Sequence, residues 1–365
     1  MSAAQPEPHH HLPSESPIAV VTGASSGIGA ETALGLARAG RRVILCGRDA
    51  ARTSEVASRI ERDCPGQVLA TLLANFSRLS DVARLADDIA KLTPRLDLLV
   101  NNAGLWHPKR TLSQDGYEDT FAVNHLAPFC LTTRLLPLLR ATRANVRASD
   151  EKDSAGPDGA IVRETDSSGS AGPDGAIVRE TDSSGSIEGG WTAPHRAGAS
   201  SGAHLTDRAA HPPSDVRVVT VSSRLHNAVP RFDFDDVMSE RGYQGLTAYA
   251  KSKLANVLFA AELARRLKRT GVTSNSVHPG SVATQVVRDS WWLSLGARLP
   301  LPILKSPKEG AATSLYVATA PELTGVTGCY FANRQAHVPS RAAHDRQSAA
   351  QLWALSEELV GRAVG

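Results

Sequence analysis

Short apolar runs alternate with longer stretches of helical periodicity along most of this chain of 365 residues. The runs predicted as strands cover residues 18–21, 43–46, 68–73, 96–100, 216–221, 272–277 and 328–331, and the predicted helices cover 28–39, 50–63, 79–92, 115–143, 246–268, 307–318 and 342–364. Pro128 and Pro137 are expected to bend or break the fourth helix. Strands that alternate with helices of this length build a parallel sheet covered on both faces. We therefore predict an α/β fold with a doubly wound parallel sheet in a single domain.

One segment interrupts the alternation, because residues 155–170 recur identically as residues 171–186. Each copy has one Ile-Val pair among Gly, Pro, Ser and Asp, so it buries too little apolar surface to offset its ordering entropy. We predict a disordered insertion over residues 146–213, with 11 acidic and 6 basic residues, which divides the domain into 17–145 and 214–365. A docking role for this insertion is the alternative. Residues 1–16 are expected to form a disordered tail.

Composition argues against several classes of protein. A hydrophobic content of 41% and a charged content of 21% are typical of a soluble globular protein, and no apolar run approaches a membrane span. The net charge of +3 is too small to indicate nucleic-acid binding. The N-terminus lacks signal-peptide character, and the four cysteines are scattered without disulfide or metal-ligand spacing. We expect reduced thiols, a cytoplasmic location and no metal site.

A glycine-rich turn lies between the first predicted strand and the first predicted helix. Its sequence is Thr22-Gly23-Ala24-Ser25-Ser26-Gly27-Ile28-Gly29. Glycine permits a tight turn and a close approach to a pyrophosphate, and a helix N-terminus supplies N–H groups and positive potential. A glycine-rich turn alone is weak evidence, but the strand–turn–helix context favours a dinucleotide site over an ordinary turn. The predicted cofactor-binding residues of this turn are Gly23, Ser25, Ser26, Gly27, Ile28 and Gly29.

The charge that follows the second strand bears on which cofactor is bound. An acidic residue there would accept hydrogen bonds from a ribose 2′-hydroxyl, whereas this chain has Cys46-Gly47-Arg48-Asp49. Arg48 could pair with a 2′-phosphate through a charge-assisted fork. Asp49 also suits the N-cap of the next helix. We therefore predict NADP (NADPH) as the cofactor, with NAD less favoured.

Tyr249 and Lys253 stand four residues apart at the start of a predicted helix. Residues at this spacing share one helix face, so the phenol and the ammonium point the same way. Tyrosine, with a pKa of about 10, is a poor base at neutral pH, and a fixed cation nearby favours its phenolate. The spacing is common by chance, so its weight depends on the other motifs. Lys251 faces elsewhere on the helix and is expected to be solvated.

Further motifs occur after later strands. In chain order they are Thr22–Gly29, Asn101-Asn102-Ala103-Gly104, Asn124, Ser223, Tyr249 with Lys253, and Pro279-Gly280. This order resembles the short-chain dehydrogenase/reductase family, which implies a Rossmann-type fold. The runs from Phe121 to Phe129 and from Val219 to His226 resemble the branch of retinol dehydrogenases and related lipid or carbonyl reductases. The resemblance covers residues 17–145 and 214–365.

The resemblance implies four catalytic residues, Asn124, Ser223, Tyr249 and Lys253. Tyr249 would be the general acid in carbonyl reduction and the base in the reverse direction. Lys253 would lower the pKa of Tyr249 and bind the nicotinamide ribose, and Asn124 would position a water for proton relay. Ser223, with Ser222 as its rival, would hold the substrate oxygen. The further cofactor-binding residues implied are Asn75, Asn102, Ala103, Gly104, Tyr249, Lys253, Pro279, Gly280 and Thr284.

Two other features of the resemblance bear on binding. The family usually has Asp after the third strand, where this chain has Asn75, so we expect modestly altered cofactor affinity. Residues 285–306 would form a lid, and their apolar character, with Trp291-Trp292-Leu293, favours a hydrophobic substrate. Packing on the body or on a partner subunit is the alternative, and docking on a membrane surface is a lesser one.

We predict an NADP-dependent oxidoreductase that transfers a hydride between nicotinamide and an apolar alcohol or carbonyl substrate. The resemblance also allows a homo-oligomer that pairs through the long helices around Asn124 and Tyr249. A non-enzymatic NADP-binding regulatory or scaffold protein on the same fold is the alternative. The intact set of Asn124, Ser223, Tyr249 and Lys253 argues against it, because a binding module does not need the acid.

Overall fold

The computed structural model describes residues 16–154, 215–280 and 306–365. The strands are β1 (Ile18–Thr22), β2 (Arg42–Gly47), β3 (Val68–Leu73), β4 (Leu98–Asn101), β5 (Val216–Val221), β6 (Val272–His278), β7 (Tyr330–Ala332) and β8 (Gln335–His337). They form one eight-stranded sheet in the order β3-β2-β1-β4-β5-β6-β7-β8. All neighbouring strands run parallel except the final pair, β7 and β8. The predicted α/β class with a doubly wound, Rossmann-type sheet is confirmed.

Helices cover both faces of this sheet. They are α1 (Gly27–Arg38), α2 (Ala50–Asp63), α3 (Leu79–Leu92), α4 (Asp119–Phe121), α5 (Ala127–Ser154), α6 (Gly245–Arg266), α7 (Pro307–Thr319) and α8 (Arg346–Val364). One hydrophobic core joins α1, α2 and α7 to the sheet, and the other joins α3, α5, α6 and α8. In β1, Ile18 and Val20 enter one core while Ala19 and Val21 enter the other, as the alternation of a strand requires.

The predicted helix over 115–143 differs from the structure at both ends. It begins at Asp119, because the carboxylate of Glu118 accepts hydrogen bonds from the N–H groups of Thr120 and Phe121. Its C-terminal part, α5, runs through Pro137 to Ser154 and so passes residue 146, the predicted start of the insertion. The remaining residues of the insertion, 155–213, and the tail to residue 15 lie outside the described residues, so both stay predictions.

The C-terminal strands and helix also differ from the prediction. The strand expected over 328–331 is β7, which begins at Tyr330 and pairs with a strand that was not predicted, β8. The connection has Asn333 and Arg334 at φ values of 49° and 60°, as a tight hairpin turn requires. The last helix begins at Arg346 rather than at residue 342, because the carboxylate of Asp345 caps it.

The helix α8 packs against α6 and α3, and one of its rings reaches the start of α5. The Trp353 ring stacks on Phe259 at a centroid distance of 5.9 Å and meets the Phe129 ring edge-on at 4.9 Å. Ser356 Oγ lies 2.9 Å from the buried His125 Nε2. A homo-oligomer that pairs through the long helices around Asn124 and Tyr249 stays a prediction. Within residues 16–154, 215–280 and 306–365, no helix is long and apolar enough to span a membrane.

Candidate active site

The predicted site residues gather at the carboxyl edge of the sheet. The glycine-rich turn follows β1, Arg48 follows β2, Asn75 follows β3, Asn102–Gly104 follow β4, Ser223 follows β5, and Pro279 and Gly280 follow β6. The strands β2 and β3 lie on one side of β1, and β5 and β6 lie on the opposite side of β4. The loops that follow β1 and β4 therefore lead away from each other, and a crevice opens between these two strands. Thr284 and residues 285–305 of the predicted lid lie outside the described residues.

The glycine-rich turn has the geometry that a pyrophosphate needs. Gly23 and Gly27 have φ values of 65° and 57°. A Cβ on Gly29 would lie 2.2 Å from the Gly23 carbonyl oxygen, so a side chain there would displace the backbone. The helix α1 begins at Gly27, and the preceding Ser26 does not cap it with its side chain. The first N–H groups of any α-helix have no intrahelical acceptor, and the Ser26 side chain does not cap those of α1, which fits an anionic group at this end.

The motif after β4 is joined directly to this turn. The Asn102 side-chain amide donates to the Thr22 carbonyl oxygen at 2.9 Å. The Thr22 hydroxyl accepts from the backbone N–H groups of Asn102 and Ala103, each at 3.0 Å. A Cβ on Gly23 would come within 2.9 Å of Ala103 Cα. The side chain of Asn102 thus holds the two sides of the crevice together, and Thr22, which sequence reasoning did not select, is its partner.

Arg48 and Asp49 have separate roles after β2. The Asp49 carboxylate accepts from the Arg52 N–H at 3.0 Å and caps α2, as predicted. Arg48 is exposed, and within the described ranges its guanidinium forms no ion pair or hydrogen bond. A Cβ on Gly47 would lie 3.4 Å from Ser25 Cβ, so the backbone that leads to Arg48 runs beside the glycine-rich turn. Arg48 is therefore available to a ligand at this corner of the crevice.

Asn75, which follows β3, uses its side chain to close a turn. Its Oδ1 accepts from the Ser77 N–H at 3.1 Å, and its carbonyl oxygen accepts from the Arg78 N–H at 3.0 Å. The residue is half-buried. Because the amide oxygen is engaged locally, contact with a cofactor would use the amide N–H groups.

Asn124 lies in a short π-helical turn, Ala122–Leu126, between α4 and α5. Its side chain is fully buried, and its Oδ1 accepts from the Leu105 N–H at 2.7 Å. Pro128 has no N–H, so the regular α-helical hydrogen bond to the Asn124 carbonyl cannot form. Turns of this kind interrupt α-helices mostly at functional sites. The prediction placed Asn124 at the site without anticipating the change in helix type.

The two serines after β5 are used differently. The Ser222 hydroxyl is buried and donates to the Lys253 carbonyl oxygen at 2.7 Å, which ties β5 to α6. Ser223 is half-buried, and its hydroxyl accepts from the Leu225 N–H at 3.2 Å at the start of the next helical turn. Ser222 is thus bound to the backbone of α6, whereas Ser223 is the serine that acts on the pKa of the Tyr249 phenol.

Tyr249 and Lys253 lie together on α6, as their spacing predicted. Lys253 Nζ lies 5.5 Å from the centre of the Tyr249 ring and donates to the Val221 carbonyl oxygen at 3.2 Å. Burial lowers the pKa of Lys253 to about 8. Burial also raises the pKa of Tyr249 to about 12, although the Ser223 side chain opposes the change. The predicted lowering of the Tyr249 pKa is wrong for the protein alone, because loss of solvation is the largest effect on the phenol.

The prediction that Lys251 is solvated is also wrong. Lys251 is 7% exposed, and its Nζ donates to the Asp236 carbonyl oxygen at 2.6 Å. Burial lowers its pKa, and the nearby carboxylate of Asp236 opposes this. The loop before α6 covers this lysine, and a helical pattern cannot reveal such a long-range contact.

Comparison with known proteins agrees with this geometry. The sequence model of the family described as short chain dehydrogenase matches residues 17–146 and 236–291. Retinol dehydrogenase 14 from Mus musculus is 31% identical, over 94% of this chain and 85% of its own length. A solved structure of an uncharacterised protein from Mycobacterium paratuberculosis is 29% identical and superposes with a TM-score of 0.60, with 96% of each chain covered. RhlG from Pseudomonas aeruginosa, solved as a complex with NADP, has the same fold at 24% identity and a TM-score of 0.55, over 92% of this chain and 99% of its own.

The family match covers the glycine-rich turn, Asn124, Tyr249 and Lys253. The glycine-rich turn, the uncapped start of α1 and the crevice between β1 and β4 fit a nicotinamide dinucleotide. The chain belongs to the short-chain dehydrogenase/reductase family, in its retinol-dehydrogenase-like branch, and is an NAD(P)-dependent oxidoreductase that acts on CH–OH donors.

Proposed function

We propose that this enzyme uses NADP(H) and an apolar alcohol or carbonyl substrate, with Tyr249 as the acid and base. The observation that carries the proposal is Lys253 Nζ 5.5 Å from the centre of the Tyr249 ring, with Ser223, which follows β5, acting on the pKa of the same phenol. When bound, the nicotinamide supplies or accepts the hydride. The residues of this chain then have to transfer one proton and stabilise charge on one oxygen.

Tyr249 supplies the proton during carbonyl reduction. With a pKa of about 12 it is protonated at neutral pH, as a proton donor must be. The O–H bond of the phenol breaks as the proton moves to the substrate oxygen, which the Ser223 hydroxyl holds. In alcohol oxidation the phenolate takes the proton back.

Lys253 stabilises the phenolate that this transfer forms. Its pKa of about 8 leaves most of the ammonium protonated at pH 7. Lys253 is 3% exposed, so solvent screens its ammonium little. Asn124 positions a water that returns a proton to Tyr249. The support for this role is the backbone carbonyl of Asn124, which cannot accept the regular α-helical hydrogen bond because Pro128 has no N–H.

Arg48 supports NADP over NAD. It is exposed beside the glycine-rich turn and has no carboxylate partner among the described residues. A guanidinium in this position would pair with a 2′-phosphate through two parallel hydrogen bonds. A ribose hydroxyl would gain much less from it, because the pairing depends on opposite charge.

Exposed leucines beside the catalytic residues support an apolar substrate. Leu225 follows Ser223 by two positions and is 42% exposed, and Leu246 precedes Tyr249 by three positions and is 56% exposed. Apolar side chains next to a few polar groups are typical of sites for small apolar ligands. Retinol dehydrogenase 14 is named for retinol, an apolar alcohol, which agrees with this substrate class.

Turnover assays with the purified chain test the proposal. NADPH or NADH is combined with a panel of apolar and polar aldehydes, ketones and quinones, and oxidation of the cofactor is followed by absorbance. We expect turnover of apolar carbonyls with a higher kcat/KM for NADPH. Ser223→Ala should lower kcat about a hundredfold, whereas Ser222→Ala, which loses a contact to backbone, should lower it much less. No turnover of any apolar carbonyl, or equal losses in the two serine variants, would contradict the proposal.

A further inference from the structure

Both N–H groups of the Asn124 side chain are already used, and its oxygen is buried against the backbone of Leu105. Its Oδ1 accepts from the Leu105 N–H at 2.7 Å, while its Nδ2 donates to the Leu105 carbonyl oxygen at 3.0 Å and to Ser252 Oγ at 2.9 Å. A carboxamide has two N–H donors, and both are used here. The residue is 0% exposed. Asn124 can therefore act on the reaction only through its backbone and through the position of its helical turn.

Ser252 binds the second N–H of the Asn124 amide and ties it to α6. The Ser252 hydroxyl, also 0% exposed, donates to the Tyr249 carbonyl oxygen at 2.7 Å. A hydroxyl has a single proton, so towards Asn124 it can only accept. Reversing the amide would bring two acceptor oxygens together at a buried position, which is unfavourable. The backbone of Leu105 thus sets the orientation of the Asn124 amide, and Ser252 links that amide to the backbone of Tyr249.

This pair of hydrogen bonds joins the π-helical turn to the part of α6 that carries the acid. Ser252 lies between Tyr249 and Lys253 in the chain and bonds to the backbone of Tyr249. On the other side, a Cβ on Gly104 would lie 3.1 Å from Asn124 Oδ1 and 3.3 Å from Lys253 Nζ. The turn, the segment after β4 and α6 therefore meet within a few contacts of the phenol.

We infer that Ser252 is a positioning residue for proton transfer, because it ties Asn124 to the backbone of Tyr249 and so fixes the carbonyl of the π-helical turn relative to that residue. This inference rests on the proposed function. Ser252 does not touch the substrate. Its contribution is to keep the proton path aligned, and misalignment slows a proton transfer without weakening cofactor binding.

The test compares Ser252→Ala with Ser252→Thr in the full-length enzyme. We expect Ser252→Ala to lower kcat about tenfold, to leave the Kd for NADPH unchanged and to increase the solvent deuterium isotope effect on kcat, because proton transfer becomes slower. Ser252→Thr keeps the hydroxyl and should recover most of kcat and the original isotope effect. Circular dichroism and a NADPH titration establish that each variant is folded.

Ser274→Ala is the matched control. Ser274 is also 0% exposed, and its hydroxyl donates to a carbonyl of α6, that of Ala260, at 3.0 Å. A wild-type kcat and isotope effect in folded Ser252→Ala would overturn the inference, as would an equal loss in Ser274→Ala. If Ser252→Ala does not fold, the inference stands or falls on whether Ser252→Thr keeps the wild-type isotope effect. Tyr249→Phe separates the two proposals, because full turnover in that variant would contradict the proposed function itself.

Discussion

Replacing Lys253 by methionine removes the charge beside Tyr249 while keeping most of the side-chain volume. At 5.5 Å from the ring centre, a unit charge stabilises a phenolate by about 3 kcal/mol in an effective dielectric of about 20. That energy corresponds to roughly a hundredfold in rate. We therefore expect Lys253→Met to lower kcat for carbonyl reduction about a hundredfold at pH 7.

The pH dependence of kcat provides the assay. The pKa of Lys253, lowered by burial to about 8, means that wild-type kcat should be constant below that pH and fall above it as the ammonium loses its charge. Lys253→Met should lack this fall and show the low rate throughout. Initial rates of NADPH oxidation from pH 6 to pH 9.5, at saturating substrate, measure both effects.

Lys251→Met is the matched control, because it removes a second buried ammonium from the same helix. Lys251 bonds the Asp236 carbonyl and not the tyrosine ring, so its loss should reduce stability and leave kcat within a few fold. The electrostatic reasoning is refuted if Lys253→Met keeps kcat within threefold of wild type. It is equally refuted if the two lysine variants lose activity to the same extent.

Three further variants test the cofactor site and the core. Arg48→Glu should lower kcat/KM for NADPH by about ten- to a hundredfold, as expected for a lost charge-assisted pair, and should change kcat/KM for NADH little. If the ratio of kcat/KM for NADPH to kcat/KM for NADH is unchanged, Arg48 is not part of the cofactor site. Gly29→Ala places a Cβ 2.2 Å from the Gly23 carbonyl oxygen and should weaken NADPH binding, measured by fluorescence titration, at least about tenfold. Gly361→Ala is the control, because a Cβ there has nothing within 4 Å, and this variant should bind NADPH normally. Burial lowers the pKa of His125 from 6.5 to about 3, so the unfolded chain binds more protons between these values and stability falls as the pH drops through them. Urea unfolding should show a loss of up to about 1.4 kcal/mol per pH unit from this residue, His125→Gln should reduce the slope, and parallel slopes would contradict the assignment.

The sequence predicted most of the sheet, because β1 to β6 are apolar runs flanked by amphipathic helices. It did not predict β8, since three residues are too few to show a period, and Asn333-Arg334 is a less common hairpin turn than one with glycine. The start at Asp119, four residues after the predicted one, depends on the capping hydrogen bonds of Glu118, which a helical pattern of apolar residues does not show.

In the site, residue identities were predictable and their energetics were not. The spacing of Tyr249 and Lys253 fixed their shared face, yet the direction of the Tyr249 pKa shift depends on burial by distant segments. The burial of Lys251 under the preceding loop is a long-range contact of the same kind. Ser252 lies inside the motif, but only coordinates reveal that its partner is Asn124, 128 positions away.

The proposed proton transfer by Tyr249 is tested most directly by single-turnover kinetics of Tyr249→Phe. Enzyme saturated with NADPH is mixed with an apolar aldehyde in a stopped-flow instrument, and the loss of NADPH absorbance is recorded alongside a fluorescence titration of cofactor affinity. We predict a rate about a thousandfold below wild type with an unchanged Kd for NADPH. A rate within tenfold of wild type, in a variant that binds NADPH normally, would contradict the assignment of Tyr249 as the proton donor.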